Sequence, residues 1–500
     1  YHPAFRLSPA LKEMGFTTSS AEPVLLNVRT LPDVDLAGLS ARVKVMGGNV
    51  IGSSTDGTSG YLRLFVPAEQ VDVLAAQDGV LWVEPYVELS ISNDVGGASI
   101  MDADTIRTAV GLYGSGQIIG VSDSGLDVGT TSATMSDDFE GRIVDGQAMC
   151  ATHYVSPSDQ RNGWNDLNAH GTHVSGSVLG NGVLSGSNPG SHTYASTFAG
   201  VAPEAQIVFQ SLDSDGDGGL ECIPVDLSTY LFGPAYNLGA RIHTNSWGGP
   251  SGDAANPFGV YTLQSKQVDS AAWKHKDLLI LYAAGNDGND GNRDGVVDPD
   301  SIGSPGTAKN ALTIGASENS RPNINFTWGD GWLLDFPVNP IRDDLAADNP
   351  GGMAGFSSRG PTDDGRIKPD LAAPGTYIIS ALSHDPDRES DGWGIVNDDY
   401  LYMGGTSMAT PLSAGASALV REWLTDVKGF TAPSAALMKA VMVNGAVDMS
   451  PGQYTSPQEI PSQRPNNVSG WGRVSLVGSI APPAPLAVYL EDQTTGLSTG

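Results

Sequence analysis

Residues 117–127 read QIIGVSDSGLD, an apolar run that stops at Asp123 and continues into a glycine-containing turn. Similar runs, rich in valine, isoleucine and leucine, recur at 205–212, 240–248, 277–286 and 311–317. Their apolar residues are continuous rather than alternating, which is typical of strands buried on both faces. Helical stretches and glycine-rich loops separate the runs. The sequence from 93 to 478 therefore predicts an α/β domain in which helices cover both faces of a parallel sheet.

The first part of the chain follows another pattern. Strand-like runs alternate with helical spacing there, the strands at 24–30, 49–53, 60–67 and 80–89 and the helices at 35–48 and 68–79. This β-α-β-β-α-β order predicts a small ferredoxin-like α+β unit at 21–92, preceded by an N-terminal arm at 1–20. Residues 479–500 start with a Pro-rich joint, which indicates the beginning of a C-terminal β domain. Because the chain opens at Tyr1 without a signal-type segment, we expect a trimmed form.

Composition excludes several classes of partner. The chain of 500 residues has 56 acidic and 26 basic residues, a formal net charge of -30, so no basic footprint for nucleic acid or an anionic membrane is expected. No apolar run has the length of a membrane span. The acidic surface is typical of a soluble protein, adapted to salt or binding calcium. Cys150 and Cys222 are either one disulfide or two buried thiols.

Three motifs carry residues for nucleophilic catalysis, in the order Asp, His, Ser. They are VSDSGLD (121–127), HGTHVSGSVLG (170–180) and GGTSMATPLSAGASALV (404–420). Asp123 ends a predicted strand, where open α/β sheets carry functional groups, and His170 and Ser407 stand at predicted helix starts. Acyl transfer needs a hydroxyl nucleophile, an imidazole that takes its proton and a carboxylate that orients the imidazole. These three residues are therefore candidates for a catalytic triad.

A fourth candidate is Asn286 in YAAGNDG (282–288), whose side-chain amide is suited to stabilise a developing oxyanion. Each candidate alone has a plainer interpretation. His170 and His173 have the spacing of a metal pair but lack the glutamate of HExxH, and we expect His173 to pack behind the site. Asp123 alone is typical of a turn after a strand. GTSMA lacks the GxSxG pattern, which argues against an α/β-hydrolase.

The motifs DSG, HGTHVSG, NSWGG, AAGN and GTSMATP, in this order, resemble the subtilisin family of serine proteases, peptidase family S8. The resemblance is closest to the oxidatively stable alkaline subtilisins with a C-terminal β-sandwich, and it covers about 93–478. It implies that Ser407 is the nucleophile, His170 the general base and then acid, and Asp123 the orienting carboxylate. Asn286 and the Ser407 N–H would form the oxyanion hole. The implied function is a secreted endopeptidase that works through an acyl-enzyme.

The resemblance also implies a substrate groove that binds an extended peptide between two edges. The expected substrate-binding residues are Ser246, Trp247, Gly248, Gly216, Asp217, Gly218 and Gly303. DSDGDGG (213–219) also resembles the start of a calcium loop, but position twelve is Pro224 rather than an acid, so the groove interpretation is preferred. Asp215 and Asp217 would then favour basic or polar residues in the outer subsites. No acid is expected in S1, so broad, apolar-leaning cleavage is favoured over a narrow processing protease.

A second acidic run, NDGNDGNRDGVVDPDSIG (286–303), follows the oxyanion residue. It offers oxygen ligands from Asp290, Asn292, Asp294, Asp298 and Asp300. Position twelve is Ser301, so the run is not a standard EF-hand. Since the family uses calcium, we predict a structural calcium site here, the alternative being a solvated loop.

The unit at 21–92 resembles the inhibitory propeptides of subtilisins. We therefore predict a zymogen whose own N-terminal unit inhibits it, with autocleavage near Ser92–Asn93 and Leu89 in the apolar S4 pocket. The expected partners are polypeptide substrates, and the protein is expected to be a monomer. The rival hypothesis is a catalytically silent calcium-binding exoprotein on a protease scaffold.

Overall fold

The computed structural model describes residues 3–8, 11, 23–85, 90–91, 100–132, 134–249 and 257–493 of the chain. The predicted cleavage bond at Ser92–Asn93 and the predicted S4 residue Leu89 lie outside these ranges. No helix in the described part of the chain is long and apolar enough to cross a membrane.

Residues 23–85 form a four-stranded antiparallel sheet with two helices. The elements are β1 (Pro23–Thr30), α1 (Leu36–Val45), β2 (Asn49–Thr55), β3 (Gly60–Pro67), α2 (Val71–Ala75) and β4 (Val80–Pro85). The strand order is β2-β3-β1-β4, so the first strand lies in the middle of the sheet and the chain follows the predicted β-α-β-β-α-β order. Asp35 starts α1 because its carboxylate accepts the Gly38 N–H at 3.0 Å. Residues 68–79 are a 3-10 turn followed by the short α2, not one helix.

Part of the predicted arm belongs to this unit. Leu7 and Leu11 are buried in its core, and the Arg6 guanidinium donates to the carbonyls of Ala75 and Gln77 at 2.9 and 3.0 Å. The burial of two leucines explains why these positions pack against the sheet instead of extending into solvent.

The larger unit is built on a seven-stranded sheet in which every pairing is parallel. Its strands are β6 (Ile118–Asp123), β7 (Ile143–Ala148), β8 (Gln206–Ser211), β9 (Ile242–Asn245), β11 (Leu279–Ala283), β12 (Leu312–Ser317) and β13 (Leu371–Pro374), in the order β13-β12-β11-β9-β6-β8-β7. The short strand β5 (Ser90–Ile91) precedes this unit in the chain, and β10 (Trp247–Gly248), β14 (Ile378–Ala381), β15 (Gly394–Asn397) and β16 (Tyr400–Met403) lie outside the seven-stranded sheet. The α/β fold class is thereby confirmed.

Helices surround this sheet. They are α3 (Ala103–Val110), α4 (His170–Leu179), α5 (Gly233–Asn237), α6 (Leu263–Lys274), α7 (Trp328–Gly331), α8 (Thr406–Glu422), α9 (Ala435–Gly445) and α10 (Leu476–Ile480). Every residue of α8 except Arg421 is buried, which its many small side chains permit. At Gly415 a Cβ atom would lie 2.7 Å from the Cβ of Val201, so only glycine allows this approach. Helices α4 and α8 pack on each other and carry two of the triad candidates.

Candidate active site

The structure brings Asp123 and His170 together at one end of the parallel sheet. Asp123 is the last residue of β6 and His170 the first of α4, and the His170 Nδ1 donates to Asp123 Oδ1 at 2.5 Å. Both side chains are fully buried. A carboxylate on Nδ1 fixes the imidazole tautomer, so Nε2 is the nitrogen that can accept a proton from a nucleophile.

Asp166 holds this pair in position, a role that the motifs did not indicate. Its buried carboxylate accepts the Ser124 hydroxyl at 2.8 Å, the Ala169 N–H at 2.9 Å and the Thr172 N–H at 2.7 Å. Ala169 has a positive φ of 79° and cannot cap α4 with its own side chain. Asp166 therefore satisfies the first turn of α4 and ties it to the loop after Asp123. Burial raises the pKa of Asp166 to about 6.

Ser407 lies in the first turn of α8 and is 2% exposed. Its hydroxyl donates to the Ser246 carbonyl at 2.9 Å, and the Ser246 hydroxyl donates to the Ser407 carbonyl at 2.6 Å. The second bond has a sequence cause. Pro411, four residues after Ser407, has no N–H, so the Ser407 carbonyl lacks its intrahelical donor and is available to Ser246.

Asn286 is oriented by Thr406. Its Oδ1 accepts the Thr406 N–H at 2.7 Å and the Thr406 hydroxyl at 3.0 Å. An amide whose oxygen is occupied in this way presents its NH₂ group on the other side. Asn286 and Ser407 line the same pocket, so a donor and a nucleophile candidate face one space.

That pocket has a volume of about 80 Å³ and is open to solvent. Its walls are Trp247, Gly248, Gly249, Ala283, Ala284, Gly285, Asn286, Asp287, Gly303, Thr406 and Ser407. Asp287 is an acidic residue that the predicted groove residues did not include. It is among the residues that line the pocket, and burial raises the pKa of its carboxyl group to about 6. The sequence placed it beside Asn286 but gave no direction for its side chain.

The predicted groove residues divide into two groups. Trp247, Gly248 and Gly303 line the pocket, whereas Ser246 is fully buried and contacts Ser407. The Trp247 side chain is also buried, and it donates its indole N–H to the Ser122 carbonyl at 3.0 Å. Trp247 therefore contributes its main chain. Its strand β10 pairs antiparallel with β5, Trp247 opposite Ile91 and Gly248 opposite Ser90.

Gly216, Asp217 and Gly218 are in the loop after β8 and do not line this pocket. Gly216 and Gly218 have positive φ values of 93° and 94°, a conformation that glycine adopts at no steric cost. The Gly216 carbonyl accepts the Asn168 side-chain amide at 2.9 Å, which connects this loop to the segment before His170.

The predicted calcium loop at 290–300 uses its carboxylates internally. Asp290 is buried and accepts the N–H groups of Asp294 and Gly295 at 2.9 and 3.1 Å. Asp298 accepts the N–H groups of Gly291 and Asn292 at 2.8 and 3.1 Å, and the Asn292 amide donates to it as well. Asp300 has a positive φ of 67° and is exposed. Calcium binding by this loop stays a prediction.

Two other residue groups have clear positions. Cys150 and Cys222 form a disulfide, which settles the alternatives left open by the sequence. His173 is a fully buried residue of α4, its Nε2 donating to the Ile378 carbonyl at 3.2 Å, and burial lowers its pKa to about 3.

Comparison with known proteins agrees with this geometry. The family model described as the Subtilase family, Peptidase_S8, matches residues 114–472. The serine protease/ABC transporter B family protein tagB of Dictyostelium discoideum is 29% identical over 440 residues, covering 74% of this chain and 22% of that protein. Serine protease AprX of Bacillus subtilis is 28% identical, covering 65% of this chain and 61% of its own length.

Pyrolysin of Pyrococcus furiosus is 32% identical over 381 residues, covering 68% of this chain and 24% of that protein. The crystal structure of fervidolysin from Fervidobacterium pennivorans has a TM-score of 0.58 and 18% identity, and it covers 93% of this chain and 62% of that chain. At this identity the likeness shows the fold alone. The chain thus spans less than two thirds of each of these relatives. Since the family model matches most of its length, the chain belongs to the subtilase family of serine proteases.

Proposed function

We propose that this chain is an endopeptidase in which Ser407, His170 and Asp123 hydrolyse peptide bonds of polypeptide substrates through an acyl-enzyme. The observation that carries the proposal is the buried Asp123–His170 hydrogen bond at one end of the sheet, where Ser407 and Asn286 line a common pocket. Subtilase membership supports the same reaction class.

In the proposed reaction, the Ser407 hydroxyl leaves the Ser246 carbonyl, attacks the scissile carbonyl carbon and gives its proton to Nε2 of His170. Asp123 stabilises the imidazolium that forms. The Asn286 NH₂ group and the Ser407 N–H at the start of α8 stabilise the oxyanion. His170 then protonates the leaving amine, and a water molecule activated by the same imidazole releases the acyl group.

We further propose that residues 21–92 inhibit the enzyme before autocleavage. The support is the pairing of β5 with β10, because a segment that adds a strand to the groove edge occupies the place of a substrate. Several contacts attach the two units, among them Glu84 Oε1 accepting the Leu263 N–H at 2.9 Å, Ser54 donating to Asp226 at 3.0 Å and an ion pair of Lys266 with Asp56 at 3.2 Å.

Secretion is also proposed. Disulfides persist in oxidising compartments, so the Cys150–Cys222 bond supports an extracellular protein. A monomer is proposed as well. A structural calcium ion on the acidic loop at 290–300 remains part of the proposal, supported by its density of oxygen ligands.

A fluorophosphonate probe tests the catalytic part of the proposal. We expect the wild-type chain to be labelled on Ser407 and to hydrolyse casein, and the Ser407→Ala variant to do neither while unfolding at the same urea concentration. A folded wild-type protein without labelling would instead favour the catalytically silent exoprotein. N-terminal sequencing of the active enzyme tests the autocleavage, which is expected near Ser92–Asn93.

A further inference from the structure

The loop after β8 gathers three acidic side chains that the proposed catalysis does not use. Asp213, Asp215 and Glu221 each present one carboxylate oxygen such that the three oxygens lie within 4.8 Å of one another. Calcium–oxygen distances are about 2.3–2.6 Å, so two ligands on opposite sides of one ion are at most about 5 Å apart. The three oxygens therefore fit a single coordination sphere.

Asp213 gives an independent indication of a missing partner. Its side chain is 1% exposed. Its Oδ1 accepts the N–H groups of Asp215 and Gly216 at 2.9 and 2.8 Å, whereas its buried Oδ2 has no hydrogen-bond partner among the described residues. A buried, unpaired carboxylate oxygen is costly unless a cation or donor satisfies it.

Glu221 is held in the cluster rather than extended into solvent. Its Oε2 accepts the N–H and the hydroxyl of Ser214 at 3.1 and 3.0 Å. Its Oε1 lies above the Cα of Gly219, where a Cβ atom would be only 2.4 Å away. Any larger residue at 219 would therefore displace this carboxylate. The loop thus fixes the direction of two of its three acids by its own hydrogen bonds and by a glycine.

We propose that Asp213, Asp215 and Glu221 bind a divalent cation of the calcium type, which fixes the loop at one edge of the substrate groove. The all-oxygen ligand set is that of a hard cation and not of zinc. The cluster is not a standard EF-hand, because position twelve counted from Asp213 is Pro224. The site is distinct from the predicted one at 290–300.

The position of the cluster gives the ion a second effect. The same loop carries Gly216 to Gly218, and Asn168, two residues before His170, donates to the Gly216 carbonyl. A bound ion would hold these glycines in one conformation and neutralise charge beside the groove. This consequence, unlike the site itself, rests on the proposed peptidase function.

Calorimetric titration of calcium chloride into the 500-residue chain with Ser407→Ala, freed of metal with EGTA, tests the site. Losing even an outer-shell partner weakens metal binding about 10- to 100-fold, so the double variant Asp215→Asn/Glu221→Gln is expected to bind at least 100-fold more weakly at this site. Asp217→Asn is the matched control, because it removes an acid of the same loop that lies outside the cluster, and it should keep binding. Asp215 is exposed and Glu221 half-buried, so both variants should fold, which circular dichroism checks.

The proposal would be overturned if the double variant bound calcium as tightly as its Ser407→Ala parent, or if Asp298→Asn were the one variant that lost calcium binding. The groove effect is measured with Ser407 present. Calcium should raise kcat/KM for peptides that reach the outer subsites more than for a single-residue anilide, and the double variant should lose this difference. An inactive wild-type chain would refute the proposed function while the calorimetry still decides the cation site.

Discussion

Two buried carboxyl sites of the chain, the candidate active site and Glu84 of the N-terminal unit, take their hydrogen-bond donors from different sources. Among the described residues, the donors to the Asp123 and Asp166 carboxylates all belong to the larger unit. In the N-terminal unit, Glu84 is fully buried and takes one of its two donors, the Leu263 N–H, from the start of α6 in the other unit. The comparison teaches that the observed donors of the candidate active site do not depend on the N-terminal unit, whereas Glu84 keeps its Trp82 donor and loses the Leu263 N–H when the two units separate.

Replacement of Ser407 by alanine tests the candidate active site, and it has the largest expected effect on activity. Loss of the nucleophile in subtilisin itself costs on the order of 10⁶ in turnover, and we expect a similar loss here. Peptide hydrolysis measures it. The docking of residues 23–85 should be unaffected, because the Ser407 hydroxyl donates to the Ser246 carbonyl of its own unit. Hydrolysis above about one per cent of wild type would place the nucleophile elsewhere.

Replacement of Asn286 by alanine should have the next largest effect. Loss of the corresponding donor in subtilisin lowers kcat about 100- to 1000-fold, and KM should change little because the bond strengthens in the transition state. Thr406→Val is the graded comparison. It removes the 3.0 Å hydroxyl contact to Asn286 but keeps the 2.7 Å N–H contact, so a loss of roughly tenfold is expected. A rise in KM with unchanged kcat would contradict the oxyanion role.

Glu84→Gln tests the docking of the N-terminal unit through the pH dependence of stability. Burial raises the pKa of Glu84 from 4.5 to about 7, so the proton favours the docked state. The stabilisation of the docked state by this proton is full below pH 4.5 and is lost as the pH rises through 7. Since each pKa unit corresponds to a tenfold change in an equilibrium constant, the folding equilibrium constant falls on the order of 100-fold over this range.

The measurement is urea unfolding of the Ser407→Ala chain at pH 5 and pH 8, with and without Glu84→Gln. The glutamine variant should gain stability relative to its parent at pH 8. Glu69→Gln, which replaces an exposed acid of the same unit, is the control and should show no such gain. An equal pH dependence of the free energy of unfolding in all three proteins would mean that Glu84 does not contribute to docking.

Asp287→Asn gives the smallest expected effect and concerns the pocket. The pKa of about 6 means that Asp287 is charged at pH 8 and mostly neutral at pH 5. A negative wall attracts lysine or arginine at P1, so the variant should lose roughly tenfold in kcat/KM for lysine relative to phenylalanine at pH 8. The difference should shrink at pH 5. An unchanged preference at both values would mean that substrates do not approach this wall.

The sheet and the triad candidates were predictable because their signals are local. Continuous apolar runs mark strands covered on both faces, and this pattern located the five central strands of the sheet. The edge strand β7 was missed because its residues are mostly half-exposed and carry no apolar run. Strand β13, with the sequence LAAP, is too short and too rich in small residues to stand out.

The supporting residues were not predictable from the pattern. Asp166 acts through donors at 124, 169 and 172, which only the folded chain brings to one carboxylate. Asp287 was visible in the sequence, but its effect depends on the direction of its side chain. Glu221 completes a cluster eight residues after Asp213, and that closure depends on the turn at Gly216 and Gly218. Each of these roles depends on distances between residues in the folded chain and not on a sequence motif.

Among the described residues, the pairing of β5 with β10 involves two residues of each strand, and it is made within one chain. A tethered segment meets its site at an effective concentration of the order of millimolar, so even a weak contact keeps the groove filled. Once the proposed cleavage removes the tether, occupancy depends on the bulk concentration of the released unit. Activation of this protein would then be governed by dilution. At high concentration the released N-terminal units keep the cleaved enzymes inhibited, and on dilution they dissociate and the enzymes become active.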